Sequence, residues 1–215
     1  MATQEKAAGP RLGGRKAEAS VNDRRVLAAA QDVLTVAPDT PMGEIAARAG
    51  VGIGSLYRRF PSKDALVRRL LLDGMDAIMQ ATREALDRVD ADPWDAFGGF
   101  LQAATQARAG SLRGLAASRP ADDALNVAAG EMGSLIEQLL TRAQAAGAVR
   151  DDVTANDVGL LFEMLSAVRV GDNARSDALR RRYLQMLLPA FRSPAASQLS
   201  EPSASWQEIS AAWNP

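Results

Sequence analysis

The sequence predicts an all-α protein built from two helical domains. Apolar residues recur at helical spacing through most of the chain, and no convincing stretch alternates apolar and polar residues as a strand does. Prolines and glycines divide this pattern into short helices near the N-terminus and longer ones after it. The chain of 215 residues is long enough for one or two domains with their own apolar cores.

Composition excludes several classes of protein. The chain has no Cys and no His, which excludes disulfides, thiolate nucleophiles, zinc fingers and His-based catalytic triads. No motif organises the remaining carboxylates, Lys, Tyr, Ser and Thr, so we expect no enzyme, no metal and no cofactor. No apolar run approaches the roughly 18 residues of a membrane span, and no hydrophobic signal segment is present. A cytoplasmic protein without membrane contact is expected.

Charge is distributed unevenly along the chain. Residues 1–70 hold 12 Lys and Arg against 7 Asp and Glu, a net charge of +5, whereas residues 71–215 hold 13 against 19, a net charge of −6. Residues 1–19, rich in Ala, Gly, Lys and Arg, predict a flexible basic arm. A basic N-terminal third indicates contact with a polyanion, and chance clustering of solvated charges is the alternative.

The first helices are bounded by capping residues and prolines. Ser20 opens a helix that Pro38 ends. Thr40 is the predicted N-cap of a short second helix. Gly50 breaks that helix, and residues 53–60 form a third. Ser62 then caps a long fourth helix with one apolar stripe through residues 67–86.

The rest of the chain is also predicted to be helical. Helices begin at Asp92-Pro93, at Pro120, near residue 131, at the capping-box-like pair Thr154 and Asp157, and near residue 174. The helix after Thr154 is apolar on most sides, which suggests cover by both its own domain and a second subunit. Residues 192–215 are rich in Pro and Ser, and Trp206, Ile209 and Trp213 predict a short amphipathic helix there.

Residues 44–60 carry the most informative pattern. Two short helices joined by a turn that contains Gly50 fit a helix-turn-helix, in which Ala46 must be small because the second helix crosses close over it. Ile45, Val51 and Leu56 would form its small core. The second helix then exposes small residues at its start, followed by Tyr and Arg, which suits approach to DNA bases and phosphates. A pair of packing helices with a basic solvent face is the alternative.

This region resembles the tetracycline-repressor (TetR) family of bacterial transcriptional regulators. The resemblance covers Val21 to about Leu72 and centres on the segment Gly50-Val-Gly-Ile-Gly-Ser-Leu-Tyr-Arg-Arg-Phe-Pro-Ser-Lys-Asp-Ala-Leu66. It implies a three-helix DNA-binding domain over residues 20–66 and a helical domain for effector binding and dimerisation over residues 67–191. The implied partners are a double-stranded DNA operator, a second copy of the chain and a small-molecule effector of unknown identity.

The resemblance also assigns residues to DNA binding. Tyr57 corresponds to a phosphate-clamping tyrosine, and Lys63 to a lysine at the start of the fourth helix, where the helix dipole also holds a phosphate. Pro41 lies where members often have a phosphate-contacting Thr or Ser, and Arg59 where many have His. The complete set of predicted DNA contacts is Arg25, Thr40, Ile53, Gly54, Ser55, Tyr57, Arg58, Arg59 and Lys63.

The second domain is expected to dimerise and to bind the effector. In the family the last two helices form a four-helix dimer interface, which corresponds here to residues 155–171 and 174–191. The candidate interface residues are Leu161, Leu165, Val168, Leu179, Tyr183 and Leu187. An apolar pocket with a polar anchor is expected from Trp94, Phe97, Phe100, Met132, Phe162, Glu163 and Arg169. Plain core packing is the alternative for the aromatic and Met residues.

Together these patterns predict a DNA-binding transcriptional regulator. The reading that we favour is a homodimeric repressor that a small, largely apolar ligand releases from a palindromic operator. An effector-independent or protein-regulated activator of the same fold is the nearest alternative. There are two further alternatives. One is an α-helical enzyme that uses a carboxylate as its base, and the other is a protein that binds DNA without sequence preference.

Overall fold

A computed structural model describes residues 12–111, 115–116, 122–194 and 197–211. The described residues are mostly α-helical, and they contain no strand beyond an isolated antiparallel bridge between Val149 and Arg192. The chain divides into two compact units, Met1–Leu66 and Val67–Pro215.

The described residues of the first unit form three helices and the start of a fourth. They are α1 (Leu12–Leu34), α2 (Met42–Ala49), α3 (Ile53–Arg59) and α4 (Lys63–Leu86), the last of which continues into the second unit. The core of the first unit is formed by the buried side chains Val26, Ala30, Leu34, Ile45, Ala46, Leu56, Phe60 and Leu66. These apolar contacts hold the two short helices, which are too short to be stable alone.

Helix α1 is longer than the sequence pattern predicts. It begins at Leu12, eight residues before Ser20, so the prediction of a flexible arm is wrong for residues 12–19. This segment contains Arg15, Lys16, Ala17 and Glu18, which favour the helix intrinsically even without an apolar stripe. Residues 1–11, the remainder of the predicted arm, lie outside the described residues.

The start of α2 also differs from the prediction. Pro41, not Thr40, is the N-cap residue, and it provides no side-chain hydrogen bond. The Thr40 hydroxyl instead donates to the Ala37 carbonyl at 2.7 Å, and the Thr40 backbone N–H donates to the same oxygen at 3.1 Å. Thr40 therefore closes the turn before the helix and does not cap the helix.

Further helices lie in the described residues of the second unit. They are the rest of α4, followed by α5 (Pro93–Gln106), α6 (Asp123–Ala145), α7 (Ala155–Ser166), α8 (Asn173–Leu187), a 3-10 turn (Leu188–Phe191) and α9 (Trp206–Ala211). Helix α6 begins eight residues before the predicted start near residue 131, because the Asp122 carboxylate accepts hydrogen bonds from the N–H groups of Ala124 and Leu125. Pro120, the predicted start of another helix, and Trp213 lie outside the described residues.

Two of the predicted helix starts are confirmed. The Asp92 carboxylate accepts from the Asp95 N–H at the start of α5, with Pro93 as the first helical residue. At the start of α7, Thr154 and Asp157 form a reciprocal capping box. Both signals depend on residues within one helical turn, so they can be read directly from the sequence.

Aromatic rings lie in the core of the second unit. The ring centroids of Phe97 and Phe100 are 6.5 Å apart, those of Phe100 and Phe162 are 6.0 Å apart, and those of Phe97 and Phe191 are 5.8 Å apart. Leu101, Leu139, Leu140 and Leu184 belong to the same buried cluster. We call the four aromatic residues Phe97, Phe100, Phe162 and Phe191 the aromatic cluster.

The C-terminal segment packs along the start of α7. The Leu199 N–H donates to Asp152 at 2.9 Å, and the Asn156 amide donates to the Ala204 carbonyl at 2.9 Å. The side chain of Ile209 on α9 is buried. None of the helices in the described ranges is long and apolar enough to cross a membrane.

Candidate nucleic-acid interface

The turn between α2 and α3 is fixed by backbone hydrogen bonds. Gly50 has φ +67°, a left-handed conformation that favours glycine. The Val51 N–H donates to the Ala46 carbonyl at 3.0 Å, and the Gly50 N–H donates to the Ala47 carbonyl at 3.1 Å. These two bonds form a Schellman motif, which ends α2 sharply and turns the chain into α3.

Helix α3 is anchored on one face and exposed on the other. Leu56 is buried against the core of the first unit. The predicted reading residues Ile53, Gly54, Ser55 and Tyr57 are all exposed, Tyr57 by 49%. This arrangement leaves a short helix whose outer face can enter a DNA groove. We call Ile53, Gly54, Ser55, Tyr57 and Arg58 the reading face.

Packing does not explain why residue 54 is a glycine. A Cβ atom built on Gly54 would meet nothing within 4 Å. Its backbone is helical, so alanine would fit and would favour the helix. The absence of a side chain leaves the backbone of α3 open to close approach by another molecule, as base reading requires.

The start of α4 presents a second group of donors. The Ser62 hydroxyl oxygen accepts from the Ala65 N–H at 3.0 Å, which caps the helix. Lys63 is the first helical residue and is half-buried. The helix dipole and the Lys63 ammonium favour an anion such as a phosphate at this point.

Arg59 does not project freely into solvent. Its Nε lies 2.8 Å from Oδ2 of Asp23 on α1, and its guanidinium lies 6.0 Å from the centroid of the Phe60 ring. The neighbouring Arg58 is exposed and places Nη2 at 3.5 Å from the Ser55 hydroxyl. The positive charge of Arg59 is thus partly compensated by the Asp23 carboxylate, and the sequence pattern did not predict this contact.

Two further predicted contacts, Thr40 and Arg25, also lie outside the reading face. Thr40 is only 6% exposed and its hydroxyl is used inside the protein, so the structure contradicts a DNA contact by this side chain. Arg25 is exposed on α1. The sequence could not show that Thr40 turns inward, because that depends on the turn formed with Ala37.

The predicted effector-binding residues occupy several different environments. Phe97, Phe100 and Phe162 are buried in the aromatic cluster, and Met132 is half-buried against the same core. Trp94 is half-buried, and the Arg192 guanidinium lies 4.5 Å from the centroid of its ring. Glu163 is half-buried, and its Oε2 has no hydrogen-bond partner. Arg169 is exposed.

Three of the predicted dimer residues are buried within one chain. Leu161, Leu165 and Leu179 are 4%, 3% and 8% exposed, so they belong to the core of the second unit and their assignment to the interface is wrong. Helix α7 is apolar on most sides, and the sequence does not decide which apolar stripe faces inward. Val168 is half-buried, and Tyr183 and Leu187 are exposed. Other exposed apolar side chains that sequence reasoning missed here are Met164, Val170 and Met186.

A small cavity, also missed at the sequence level, lies between the end of α5 and helices α7 and α8. Its walls include Thr105, Arg108, Phe162, Ser166 and Arg180. Only Phe162 among these was predicted to bind an effector. In the parts of the chain that the structure describes, no group of three or more acidic residues could hold a metal ion.

Family models match both units. The model of the bacterial regulatory proteins of the tetR family matches residues 36–70, which include α2, α3 and the start of α4. The model of the C-terminal domain of SbtR-like transcriptional regulators matches residues 92–192. A search of curated proteins finds no match.

Solved structures share the fold over most of the chain. A TetR transcription regulatory protein from Mycobacterium vanbaalenii is 28% identical, with a TM-score of 0.55 over 83% of this chain and 99% of that chain. A TetR transcriptional regulator from Streptomyces coelicolor is 25% identical, with a TM-score of 0.53 over 80% and 99%. The TetR-like regulator LfrR from Mycobacterium smegmatis, solved with proflavine, is 21% identical, with a TM-score of 0.51 over 77% and 95%.

Proposed function

Because the chain belongs to the TetR family of bacterial transcriptional regulators and binds DNA in that role, we propose that it is a homodimeric repressor. The dimer binds a palindromic operator in the cytoplasm and leaves it when a small, largely apolar molecule enters the C-terminal unit. The matched families and the similar structures are transcription regulators, and the protein is not an enzyme.

The reading face of α3 carries this proposal. Its exposed Ile53, Gly54 and Ser55 provide a small surface for base edges, and the adjacent Tyr57 and Arg58 provide groups for phosphates. The capped start of α4, with Lys63 beside it, adds a phosphate site. This combination favours sequence-specific binding over contact with phosphates alone.

Exposed apolar side chains on helices α7 and α8 support the dimer. Met164 lies on α7, and Tyr183, Met186 and Leu187 lie on α8. Side chains of this size are costly to leave in water, and a self-complementary interface between two copies would bury them. A two-fold dimer places two α3 helices on two inverted half-sites, which is why a palindrome is proposed.

The aromatic cluster supports an apolar effector. Phe97, Phe100 and Phe162 form a buried apolar surface, with the half-buried Trp94 and Met132 packed against the same core. A ligand that separates these rings would lie among helices α5, α6 and α7, with Glu163 or Arg169 as its polar anchor. Movement of these helices on ligand entry would then release the operator.

A protein-regulated activator of the same fold is the second candidate. The C-terminal segment favours it, because Trp206 and Leu199 are exposed there and Trp206 lies on α9. An exposed tryptophan is a common anchor for a protein partner. In this alternative the DNA-binding unit acts as described above and a partner protein replaces the small molecule.

The repressor proposal is tested by binding to the DNA upstream of the protein's own gene, compared with scrambled DNA at fixed physiological salt. We expect a preference of roughly a thousandfold or more, lost when Tyr57→Ala and Lys63→Ala are combined. Arg69→Ala, which removes an exposed ion pair with Asp73 on α4, serves as the matched control. Equal binding to both DNAs by the wild type would contradict specific recognition of this region.

A further inference from the structure

The C-terminal segment that the structure describes is folded against the second unit. We call residues 197–211, which end in helix α9, the strap. The sequence pattern predicts a short amphipathic helix here, and the match to the C-terminal family model ends before it, at residue 192. The strap therefore lies outside the part of the chain that the family model describes.

Hydrogen bonds fix the strap along the loop before α7 and along the start of that helix. Nη2 of Arg150 donates to the Ser197 carbonyl at 2.8 Å, and the Ser203 hydroxyl donates to Oδ1 of Asp157 at 2.9 Å. Near the end of the strap, Ile209 is 5% exposed, so an apolar side chain anchors α9 as well. Because the strap is held at several points, its exposed side chains have defined positions on the surface.

Helix α7 has a buried face and an outward face. The buried face consists of Val158, Leu161, Phe162 and Leu165. The outward stripe, at helical spacing, runs through Asn156, Leu160 and Met164, none of which is buried. The Asn156 amide donates to the Ala204 carbonyl at 2.9 Å, so the strap reaches the start of this outward stripe.

The exposed tryptophan of the strap lies close to the same stripe. Trp206 is two residues after Ala204, which places it at most about 7 Å away along the chain. Met164 is eight residues after Asn156, which is about 12 Å further along α7. Trp206 is 59% exposed and Met164 is 62% exposed. The strap thus adds an exposed aromatic side chain beside the apolar face of α7 that is proposed to dimerise.

The strap and helix α8 expose opposite charges. The strap contains no Lys or Arg, and its acidic residues, Glu201 and Glu208, are both exposed. Hydrogen bonds from the backbone N–H and the hydroxyl of Ser205 hold the pKa of Glu208 below its usual value, so its carboxylate is ionised at neutral pH. Helix α8 exposes Arg181 and Arg182. Opposite charges of this kind favour contact between the two surfaces.

A second copy of the chain fits these features. Tyr183 and Met186 follow the exposed arginines on α8, so this helix offers both an apolar and a positive surface. In a two-fold dimer the same surfaces meet twice, so a strap that contacts α8 of the other copy is matched by the reciprocal contact. The strap would then continue the proposed interface of α7 and α8 beyond those two helices.

We propose that the strap forms part of the homodimer interface, with Trp206 of each copy packed on α8 of the other copy. This inference rests on the proposed homodimer and extends its interface. Contact with α8 removes a large apolar side chain from water. Glu201 and Glu208 lie opposite the exposed arginines of that helix and orient the two copies. Trp206 is the anchor of the contact.

The dimer dissociation constant of the full-length protein tests the inference, measured by analytical ultracentrifugation over a range of concentrations. Trp206→Ser should raise this constant by about tenfold or more, because an anchor is lost from both symmetric contacts. Val127→Ser, which removes an exposed apolar side chain from α6, is the matched control and should dimerise as the wild type does. Circular dichroism checks that each variant keeps its helices.

An exchange of charges provides a second test that does not depend on Trp206. Glu201→Arg and Arg182→Glu should each weaken the dimer at low salt, and the chain that carries both changes should recover part of the lost affinity. Recovery would not follow if each change only disturbed the fold of its own copy. An unchanged dissociation constant in folded Trp206→Ser, or no recovery in the exchanged chain, would overturn the inference.

Tyr183→Glu combined with Met186→Glu separates this inference from the proposed dimer itself. If that variant is monomeric and Trp206→Ser dimerises as the wild type does, the strap lies outside the interface and the inference alone fails. If the wild type is monomeric at every concentration, the proposed homodimer fails and the inference fails with it.

Discussion

Single side chains decide how much of the positive charge on α3 is available to DNA. The guanidinium of Arg59 is paired with Asp23 of α1, whereas Arg58 is exposed and belongs to the reading face. An exposed ion pair of this kind contributes at most about 1 kcal/mol to stability. Its larger effect is electrostatic, because Asp23 compensates a charge that would otherwise attract phosphates of any sequence.

The first prediction at this scale concerns Asp23. Asp23→Asn should leave the charge of Arg59 uncompensated and strengthen binding to scrambled DNA. The salt dependence of this binding should steepen by an amount that corresponds to up to about one more released counterion. Titration of scrambled DNA at several salt concentrations measures both effects. Asp73→Asn, which breaks another exposed ion pair, is the control. An unchanged salt dependence in Asp23→Asn would show that Arg59 does not approach DNA.

Gly54 provides the second prediction. Gly54→Ala should stabilise the protein by about 0.5 kcal/mol, because glycine disfavours a helix. It should also weaken operator binding, because the added methyl group separates α3 from the DNA. Gly43→Ala is a close control, since Gly43 is likewise the second residue of its helix and has nothing within 4 Å of an added Cβ. If both variants bind the operator equally, α3 does not approach DNA at Gly54.

At the scale of elements, one close contact holds the end of α5 against α7. Gly110→Ala would place a methyl group about where the Phe162 carbonyl lies, so we expect a loss of about 1–3 kcal/mol in the free energy of unfolding. Gly133→Ala, inside α6 with open space around it, should instead raise stability. Chemical denaturation measures both, and an unchanged stability in Gly110→Ala would mean that this contact is not maintained in solution.

The helices show which structural features the sequence could predict. The caps at Asp92 and Thr154 and the turn at Gly50 depend on neighbouring residues, and each was found from its local pattern. The start of α1 was missed because its first residues favour helix without an apolar stripe. The inward face of α7 was assigned wrongly, since that helix is apolar on most sides and only its packing places Leu161 and Leu165 in the core.

Contacts between residues that are far apart in the sequence could not be predicted from the sequence. Arg108 and Asp177 are separated by 69 residues, and Arg59 and Asp23 by 36, so no local pattern connects them. The reading face was predictable because it lies on one short helix bounded by Gly50 and Pro61. The cavity beside Arg180 was not, because it is assembled from three separate helices and the segment after α5.

At the scale of the whole molecule, the central expectation is a dimer formed by helices α7 and α8. Tyr183→Glu combined with Met186→Glu would place carboxylates among apolar side chains, so dimerisation should weaken by about 3 kcal/mol or more. Light scattering after size-exclusion chromatography measures the mass. Val127→Glu, at an exposed position on α6, is the control. A dimer that persists in the double variant would place the interface elsewhere.

Selection of bound sequences from random DNA tests the central claim most directly. A dimer that reads DNA through two α3 helices should enrich one sequence and its inverted repeat, with centres one helical turn apart, about 34–36 Å, or a multiple of that spacing. The same selection with Tyr57→Ala and Lys63→Ala combined should enrich nothing. Enrichment of a single half-site without an inverted repeat, or no enrichment by the wild type, would contradict recognition of an operator by a dimer.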